Sequence, residues 1–253
     1  MMGLANLDGS FTMTLYMHEK GPVSFANLQT RESIEAFFSE HYRDAAPLMP
    51  TYVEDFLANP VGFLGTVFCD PWVYQDKFAL IGDAAHAFTP FFGQGCNSGF
   101  EDVSVLHELL LKQRRNPKET NGPGMSAVLE AYYAERKANA DAIANMALEN
   151  FDEMMSKTAD ARFLLEKEIE NELAKRHPEY ISRYVLITHS LFPYRLCQEV
   201  GVIQSSVLAK LSEGLKSVGD VDWARASALI SDGVLPFLTE KGAKIFESVY
   251  YDE

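Results

Sequence analysis

The pattern of hydrophobic and polar positions changes in kind between the two halves of the chain. Residues 10–17 alternate with a period of two, which is typical of a strand, and the turn residues 6–9 precede them. Short apolar runs at 61–69 and 78–81 also predict strands. After residue 125 the apolar positions recur at helical spacing, so the second half is predicted to be almost entirely helical.

Helix boundaries can be placed from capping and breaking residues. Thr30 or Ser33 can cap a helix that ends near His41, and a short helix is predicted at 52–57. Residues 180–191 fit either a helix or a strand by their periodicity. Further helices are predicted over these ranges: 97–115, 125–176 as two helices, 194–215, 223–230 and 235–250.

The charge balance narrows the classes of partner. The 36 acidic residues outnumber the 22 basic ones, which gives a formal net charge of −14. Binding to nucleic acid depends on Lys and Arg side chains that neutralise phosphates, so this composition argues against a nucleic-acid partner. No apolar run reaches the roughly 18 residues of a transmembrane helix. The three dispersed cysteines predict a reducing compartment without a disulfide framework or a zinc site.

The segment 78–103 holds the strongest candidate chemistry. A short apolar strand is followed by a turn at Gly82 and Asp83, and then by a glycine-rich entry at 93–95 into a helix. The N-terminus of such a helix presents free N–H groups and partial positive charge to a ligand in front of it. The glycines let a flat or anionic ligand approach the backbone closely. The carboxylate of Asp83 can accept hydrogen bonds from a polyol.

Two strings in this segment resemble the second flavin motif of the single-component FAD-dependent aromatic hydroxylases. They are GDAAH at 82–86 and PFFGQGCNSGFED at 90–102. Within that family, the second string is most similar to that of the members that hydroxylate L-kynurenine. The alternative is an ordinary strand, turn and helix whose glycines serve only a tight turn. The resemblance covers nearly the whole chain, thins after about residue 204, and corresponds to the second half of the family's proteins.

The resemblance implies FAD as the cofactor and NADPH as the co-substrate. It places the ribityl chain of FAD against Asp83 and the isoalloxazine ring against Cys96 and Asn97. Methionine is usual in the family where Cys96 stands, so the thiol is a departure at a position used mainly through its backbone. The predicted cofactor-binding residues lie in the turn and at the helix entry: Gly82, Asp83, Pro90, Gly95, Cys96 and Asn97.

His86 has two interpretations at this stage. It is either a catalytic base or a partly buried histidine that is hydrogen-bonded to the backbone. Hydroxylation of an already activated aminophenyl ketone requires no protein base, which favours the second interpretation. No catalytic residue is therefore predicted.

The resemblance implies a small aromatic amino acid as the substrate. Phe91 and Phe92 are predicted to wall the space in front of the flavin, where apolar rings exclude water, and core positions are compatible with that role. Asn150 and Tyr184 fall where the family has a substrate-binding asparagine and a carboxylate-binding tyrosine. Each side chain can hydrogen-bond to an amino-acid headgroup, although each is otherwise an ordinary helix-surface residue.

No Gly-x-Gly-x-x-Gly motif follows a strand in this chain, so no segment is predicted to hold the pyrophosphate of FAD. We therefore predict an α+β fold that is the C-terminal half of an FAD-dependent hydroxylase, without the N-terminal Rossmann βαβ unit. The predicted domains are the remainder of the substrate-binding sheet at 1–70, the flavin-ring-binding strand, loop and helix at 71–115, and a helical C-terminal domain at 116–253. A proline- and glycine-rich surface loop is predicted at 116–124.

Three functions are compatible with these observations. The leading hypothesis is FAD- and NADPH-dependent hydroxylation of L-kynurenine to 3-hydroxykynurenine, carried by a truncated or partial chain. A second is hydroxylation of another aromatic acid on the same fold. A third is a non-catalytic truncated product that binds a partner chain, such as the missing N-terminal half. The predicted location is cytoplasmic, or the mitochondrial outer membrane if the source is eukaryotic and the protein is anchored by other means.

Overall fold

The structure is a computed structural model that describes residues 1–115, 124–157 and 160–242. The chain divides into two compact units, Met1–Phe63 and Leu64–Glu253. The three-part division into 1–70, 71–115 and 116–253 stays a prediction.

The unit Met1–Phe63 begins with two strands, and the sequence predicts the second of them. Strands β1 (Met2–Ala5) and β2 (Phe11–Thr14) form an antiparallel hairpin. Helices α1 (Arg31–His41) and α2 (Tyr52–Ala58) follow, as the sequence predicts. They bury a small apolar core: Leu28, Ile34, Phe38 and Val53.

The start of α1 shows how the local sequence fixes this boundary. The side-chain oxygen of Thr30 accepts a hydrogen bond from the Ser33 backbone N–H at 3.3 Å. In return, the Ser33 hydroxyl accepts one from the Thr30 backbone N–H at 3.2 Å. Both N–H groups would otherwise lack a partner within the helix, so this reciprocal cap stabilises the helix start.

The unit Leu64–Glu253 is mainly helical. Its sheet consists of the short antiparallel strands β3 (Val73–Tyr74) and β4 (Phe78–Ala79). Its helices are α3 (Asp83–His86), α4 (Gly95–Arg115), α5 (Met125–Asp152), α6 (Ala161–Arg176), α7 (Arg183–His189), α8 (Tyr194–Ser212), α9 (Trp223–Leu229) and α10 (Leu235–Glu240).

Two strand predictions are wrong or only partly met. Residues 61–69 form no regular strand. A hydrogen bond from the Val67 backbone N–H to the Ala87 carbonyl at 2.7 Å and one from Trp72 Nε1 to the Cys69 carbonyl at 2.9 Å help to hold this segment. The run at 78–81 forms a strand only at Phe78 and Ala79, and Phe78 is exposed rather than buried. Within the described residues, neither apolar run has a neighbouring strand that could extend the sheet. Apolar content alone does not produce such a partner.

The helix predictions fare better because their caps and breaks are local. The region predicted as two helices at 125–176 is α5 and α6, separated by a π-helical turn at Glu153–Lys157. The ambiguous run at 180–191 contains α7, whose start is capped by the Ser182 hydroxyl accepting from the Val185 N–H. The helix predicted at 235–250 is seen as α10 to residue 240, whereas residues 243–250 lie outside the described residues. Of the predicted loop at 116–124, residues 116–123 likewise lie outside them.

The main core of this unit forms where α5 and α8 pack together. Ile143 and Met146 of α5 and Cys197 and Val200 of α8 are fully buried in it. Burial of Ile143, Met146 and Val200 stabilises the fold by roughly 1.5–3 kcal/mol for each side chain. The rigid helical frame that results carries the site described below.

The coarse α+β prediction agrees with a mostly helical structure that contains two small sheets. Within the described residues, none of the helices has the length and apolar character needed to cross a membrane. The predicted cytoplasmic location stays a prediction.

Candidate functional site

The turn at Gly82 has a backbone conformation that favours glycine. Gly82 has φ +58°, a conformation that residues with a Cβ rarely adopt, and it precedes α3. Its backbone N–H donates a hydrogen bond to Asp102 Oδ2 at 2.9 Å. Asp83 is the first residue of α3 and its side chain is exposed. The turn therefore presents the Asp83 carboxylate outward while its own backbone is fixed to α4.

Asp102 is the centre of a buried charged network. Its carboxylate is fully buried and also contacts His86 Nε2 at 2.5 Å and Arg136 Nε at 2.7 Å. Burial opposes ionisation of this group. The hydrogen bonds from His86, Arg136 and the Gly82 N–H outweigh burial and hold the pKa of Asp102 below its ordinary value. Asp102 is therefore an anion that joins the Gly82 turn to α4 and α5.

Arg136 completes the network from α5. Its side chain is fully buried, and its Nη1 lies 2.7 Å from Glu101 Oε1. Its Nη2 donates to the Ser98 hydroxyl at 3.2 Å and to the Ser98 carbonyl at 3.3 Å. The two carboxylates compensate the buried guanidinium charge, which would otherwise be very costly.

His86 is packed in the interior next to Asp102 and Trp72. It is buried, its Nε2 faces the Asp102 carboxylate, and its ring lies 5.1 Å from that of Trp72. The prediction that the His86 side chain is hydrogen-bonded to the backbone is wrong, because its Nε2 contacts the carboxylate of Asp102. The structural interpretation of His86 fits this contact, and no cavity described below is lined by it.

A cavity of about 590 Å³, called here the first cavity, lies between the Gly82 turn and the N-terminus of α4. Five of the six predicted cofactor residues line it: Gly82, Asp83, Pro90, Gly95 and Cys96. Its remaining lining residues are Phe88, Gly93, Gly99, Phe100 and Val103. The first N–H groups of α4 have no partner within the helix, so this wall offers hydrogen-bond donors and partial positive charge.

Asn97, the sixth predicted cofactor residue, turns its side chain toward Gln94 instead. Its Nδ2 donates to Gln94 Oε1 at 3.0 Å. The Tyr194 hydroxyl of α8 donates to the same oxygen at 2.9 Å, and Gln94 is buried. Burial raises the pKa of Tyr194, which keeps this hydroxyl a donor. Two donors thus fix the loop that leads into α4.

The two phenylalanines after Pro90 connect this loop to the helices beyond it. The Phe91 carbonyl accepts a hydrogen bond from Asn150 Nδ2 at 3.0 Å, and the Phe91 ring lies 5.0 Å from that of Phe151. Phe92 is buried, and its ring centroid lies 6.2 Å from that of Tyr184. Neither ring lines the first cavity, in which Phe88 and Phe100 supply the aromatic surface.

A second cavity of about 380 Å³ is formed by α5, the π turn, α6 and α7. Asn150 and Tyr184, the two predicted headgroup-binding residues, both line it. Charged groups of both signs line it as well, among them Glu153 and Lys167. The structure therefore brings Asn150 and Tyr184 together although they are far apart in sequence. Asn150 contacts Phe91, and Tyr184 contacts Phe92.

Sequence reasoning missed the residues that support the site. Asp102 and Gln94 lie inside the flavin-like strings, but nothing local indicates that each accepts several hydrogen bonds. Arg136 and Tyr194 reach partners 34 and 100 positions away in sequence. No signal in a single sequence could have paired them.

The chain is similar to known proteins over most of its length. A family model described as an FAD binding domain matches residues 66–147. Over 95% of its length, the chain is 44% identical to the kynurenine 3-monooxygenase of Myxococcus xanthus. This chain is similar to kynurenine 3-monooxygenases. It is 43% identical over 85% of its length to the one from Dictyostelium discoideum, and 42% identical over 83% to the one from Flavobacterium psychrophilum.

The chain spans about half the length of the kynurenine 3-monooxygenases that it matches, namely 50%, 48% and 46% of these three proteins. The resemblance to the FAD-dependent aromatic hydroxylases is confirmed, and the predicted cofactor, FAD, agrees with the matching family model. The roles of the individual site residues stay predictions.

Proposed function

We propose that this chain binds the flavin end of FAD and the amino-acid substrate of an aromatic monooxygenase. The reaction is hydroxylation of L-kynurenine to 3-hydroxykynurenine with NADPH and O₂. The observation that carries this proposal is the convergence of Gly82, Asp83, Pro90, Gly95 and Cys96 on one cavity at the N-terminus of α4. The similarity to kynurenine 3-monooxygenases along the chain supports the choice of reaction.

The first cavity fits the ribityl and ring end of FAD. A Cβ at Gly95 would meet no atom within 4 Å, so a flat ring has room to approach the backbone there. Asp83 is exposed at the rim and can accept hydrogen bonds from the ribityl hydroxyls. The N–H groups at the start of α4 suit the electron-rich edge of the ring. Together, these features are those expected of a site that binds a flavin.

When bound, FAD supplies the redox and oxygen chemistry, and the residues of this chain supply orientation and exclusion of water. The start of α4 stabilises negative charge next to it through its N–H groups and its dipole. Phe88, Phe100 and Val103 give the cavity an apolar wall that suits a flat aromatic ring.

The second cavity suits the headgroup of an amino acid. The Tyr184 hydroxyl can donate to a carboxylate, and Asn150 offers an amide. Glu153 and Lys167 give the cavity charges of both signs, as a zwitterion requires. These residues would hold the substrate while the Phe91–Phe92 segment connects its site to the first cavity.

Titration of FAD with the purified chain tests the cofactor part. Flavin fluorescence is expected to be quenched on binding. Asp83→Ala should weaken affinity about tenfold or more, because a hydrogen bond to a charged group contributes roughly 1.5–3 kcal/mol. Asp44→Ala, which removes another exposed carboxylate, is the matched control and should leave affinity unchanged. Equal affinity of the wild type and Asp83→Ala would contradict the assignment of Asp83.

A second candidate function is association with a partner chain. Phe100 and Val103 of α4 line the first cavity and are 67% and 52% exposed. Such apolar exposure is typical of a surface that is covered by another protein. A partner that supplies a pyrophosphate site, such as the predicted N-terminal half, would complete the FAD site. Gel filtration with light scattering of this chain mixed with a separately produced N-terminal half tests this. The wild type should form a stable complex that Phe100→Ser abolishes, and a wild-type chain that elutes alone would contradict the association.

A further inference from the structure

Arg183 occupies a position next to both predicted headgroup contacts. It is the first residue of α7 and immediately precedes Tyr184. Its Nη1 lies 3.0 Å from Oε2 of Glu149, which immediately precedes Asn150 on α5. Its Nη2 lies 4.0 Å from Glu153, which lines the second cavity. One guanidinium therefore joins the two helices that carry Asn150 and Tyr184.

The same arginine is held in place by α8. A Cβ at Gly201 would lie 2.4 Å from Arg183 Cδ and 3.2 Å from its Nε, so the arginine side chain occupies the space that glycine leaves. The Arg183 backbone N–H donates to Gln204 Oε1 at 2.9 Å, and Gln204 Nε2 donates to the Ile181 carbonyl at 2.7 Å. Both the backbone and the side chain of Arg183 are thus fixed on α8.

We propose that Arg183 is a positioning residue for the amino-acid headgroup site. Through Glu149 it sets the spacing between Asn150 and Tyr184 across the second cavity, and Gly201 provides the space that this geometry needs. The proposal rests on the proposed function for its ligand, L-kynurenine. A residue with only a packing role would need the space at Gly201. The proposed role also needs the ion pair between Arg183 and Glu149.

Gly201→Ala tests the packing step without touching the site itself. The added methyl group meets the flexible Arg183 side chain, so it displaces that side chain and the fold can be retained. We expect the Kd for L-kynurenine, measured by isothermal titration calorimetry, to rise by up to about fivefold, the loss expected for one partly exposed ion pair. Amide hydrogen exchange at 183–189 should accelerate selectively. Gly219→Ala, whose Cβ meets only an ordinary contact at 3.5 Å, is the matched control and should change neither quantity.

The charge step is tested by rescue. Arg183→Ala should raise the Kd and accelerate exchange at 183–189, and Arg183→Lys should restore part of both. Exchanging the charges in the double variant Arg183→Glu with Glu149→Arg should recover affinity relative to Arg183→Glu alone, because contacting residues are not additive.

Two results would overturn the proposal. One is unchanged exchange and affinity in Arg183→Ala, and the other is exchange that accelerates equally in all helices of Gly201→Ala. A wild-type chain that does not bind L-kynurenine would contradict the proposed function instead. Exchange at 183–189, with the lysine rescue and the charge exchange, would then still decide whether Arg183 fixes the spacing of the two helices.

Discussion

The backbone N–H of Gly82 donates a 2.9 Å hydrogen bond to the buried carboxylate of Asp102. The turn that presents Asp83 is thereby fixed to α4, whose N-terminus forms the opposite wall of the first cavity. Arg136 holds the same carboxylate from α5. The shape of the first cavity therefore depends on a charged centre that does not itself line it.

Asp102→Asn should destabilise the chain by about 3 kcal/mol or more, because it leaves the buried Arg136 with reduced compensation of its charge. Urea unfolding followed by circular dichroism measures this loss. Asp44→Asn, at an exposed position, provides the baseline. A loss for Asp102→Asn that is no larger than this baseline would contradict the central role of the carboxylate.

The stability of the chain should fall in acid because of Asp102. Its folded-state pKa lies below the ordinary value of 3.8, so its ionised form stabilises the fold above that pH. This contribution is lost as the pH falls below 3.8 and through the lower folded-state pKa. Unfolding midpoints measured at falling pH should decrease in the wild type and decrease less steeply in Asp102→Asn. Parallel curves for the two proteins would be the opposing result.

Tyr194→Phe should cost about 1 kcal/mol, since the buried Gln94 oxygen loses one of its two donors and retains Asn97. Hydrogen exchange in the loop before α4 should accelerate together with this loss. Tyr74→Phe removes an exposed hydroxyl from β3 and serves as the control. If both variants unfold at the same urea concentration, the Tyr194 hydroxyl does not support this loop.

Tyr184→Phe should weaken L-kynurenine binding about tenfold, because a hydroxyl that donates to a carboxylate contributes a charge-assisted hydrogen bond. Tyr184 is 56% exposed, so the free energy of unfolding should change by less than about 0.5 kcal/mol. Calorimetric titration of both proteins with L-kynurenine checks the affinity. Unchanged binding would contradict the assignment of Tyr184 to the headgroup site.

The sequence predicts those parts of the structure that depend on neighbouring residues. The Thr30 cap of α1 and the turn before Asp83 follow from residue types within a few positions of one another. The run at 61–69 has the composition of a strand but lacks a regular partner in the described residues, and pairing is a property of the fold. For the same reason, the contacts of Arg136 with Asp102 and of Tyr194 with Gln94 could not be predicted.

The hydrogen bond from Asn150 Nδ2 to the Phe91 carbonyl also decides which residues can replace Asn150. An aspartate there would place a carboxylate against a carbonyl oxygen, with no proton between two acceptors. The bond also orients the amide, because the Nδ2 end of Asn150 is engaged by the loop. In any collection of related sequences, position 150 should accordingly exclude acidic residues, even where the surrounding helix is rich in them.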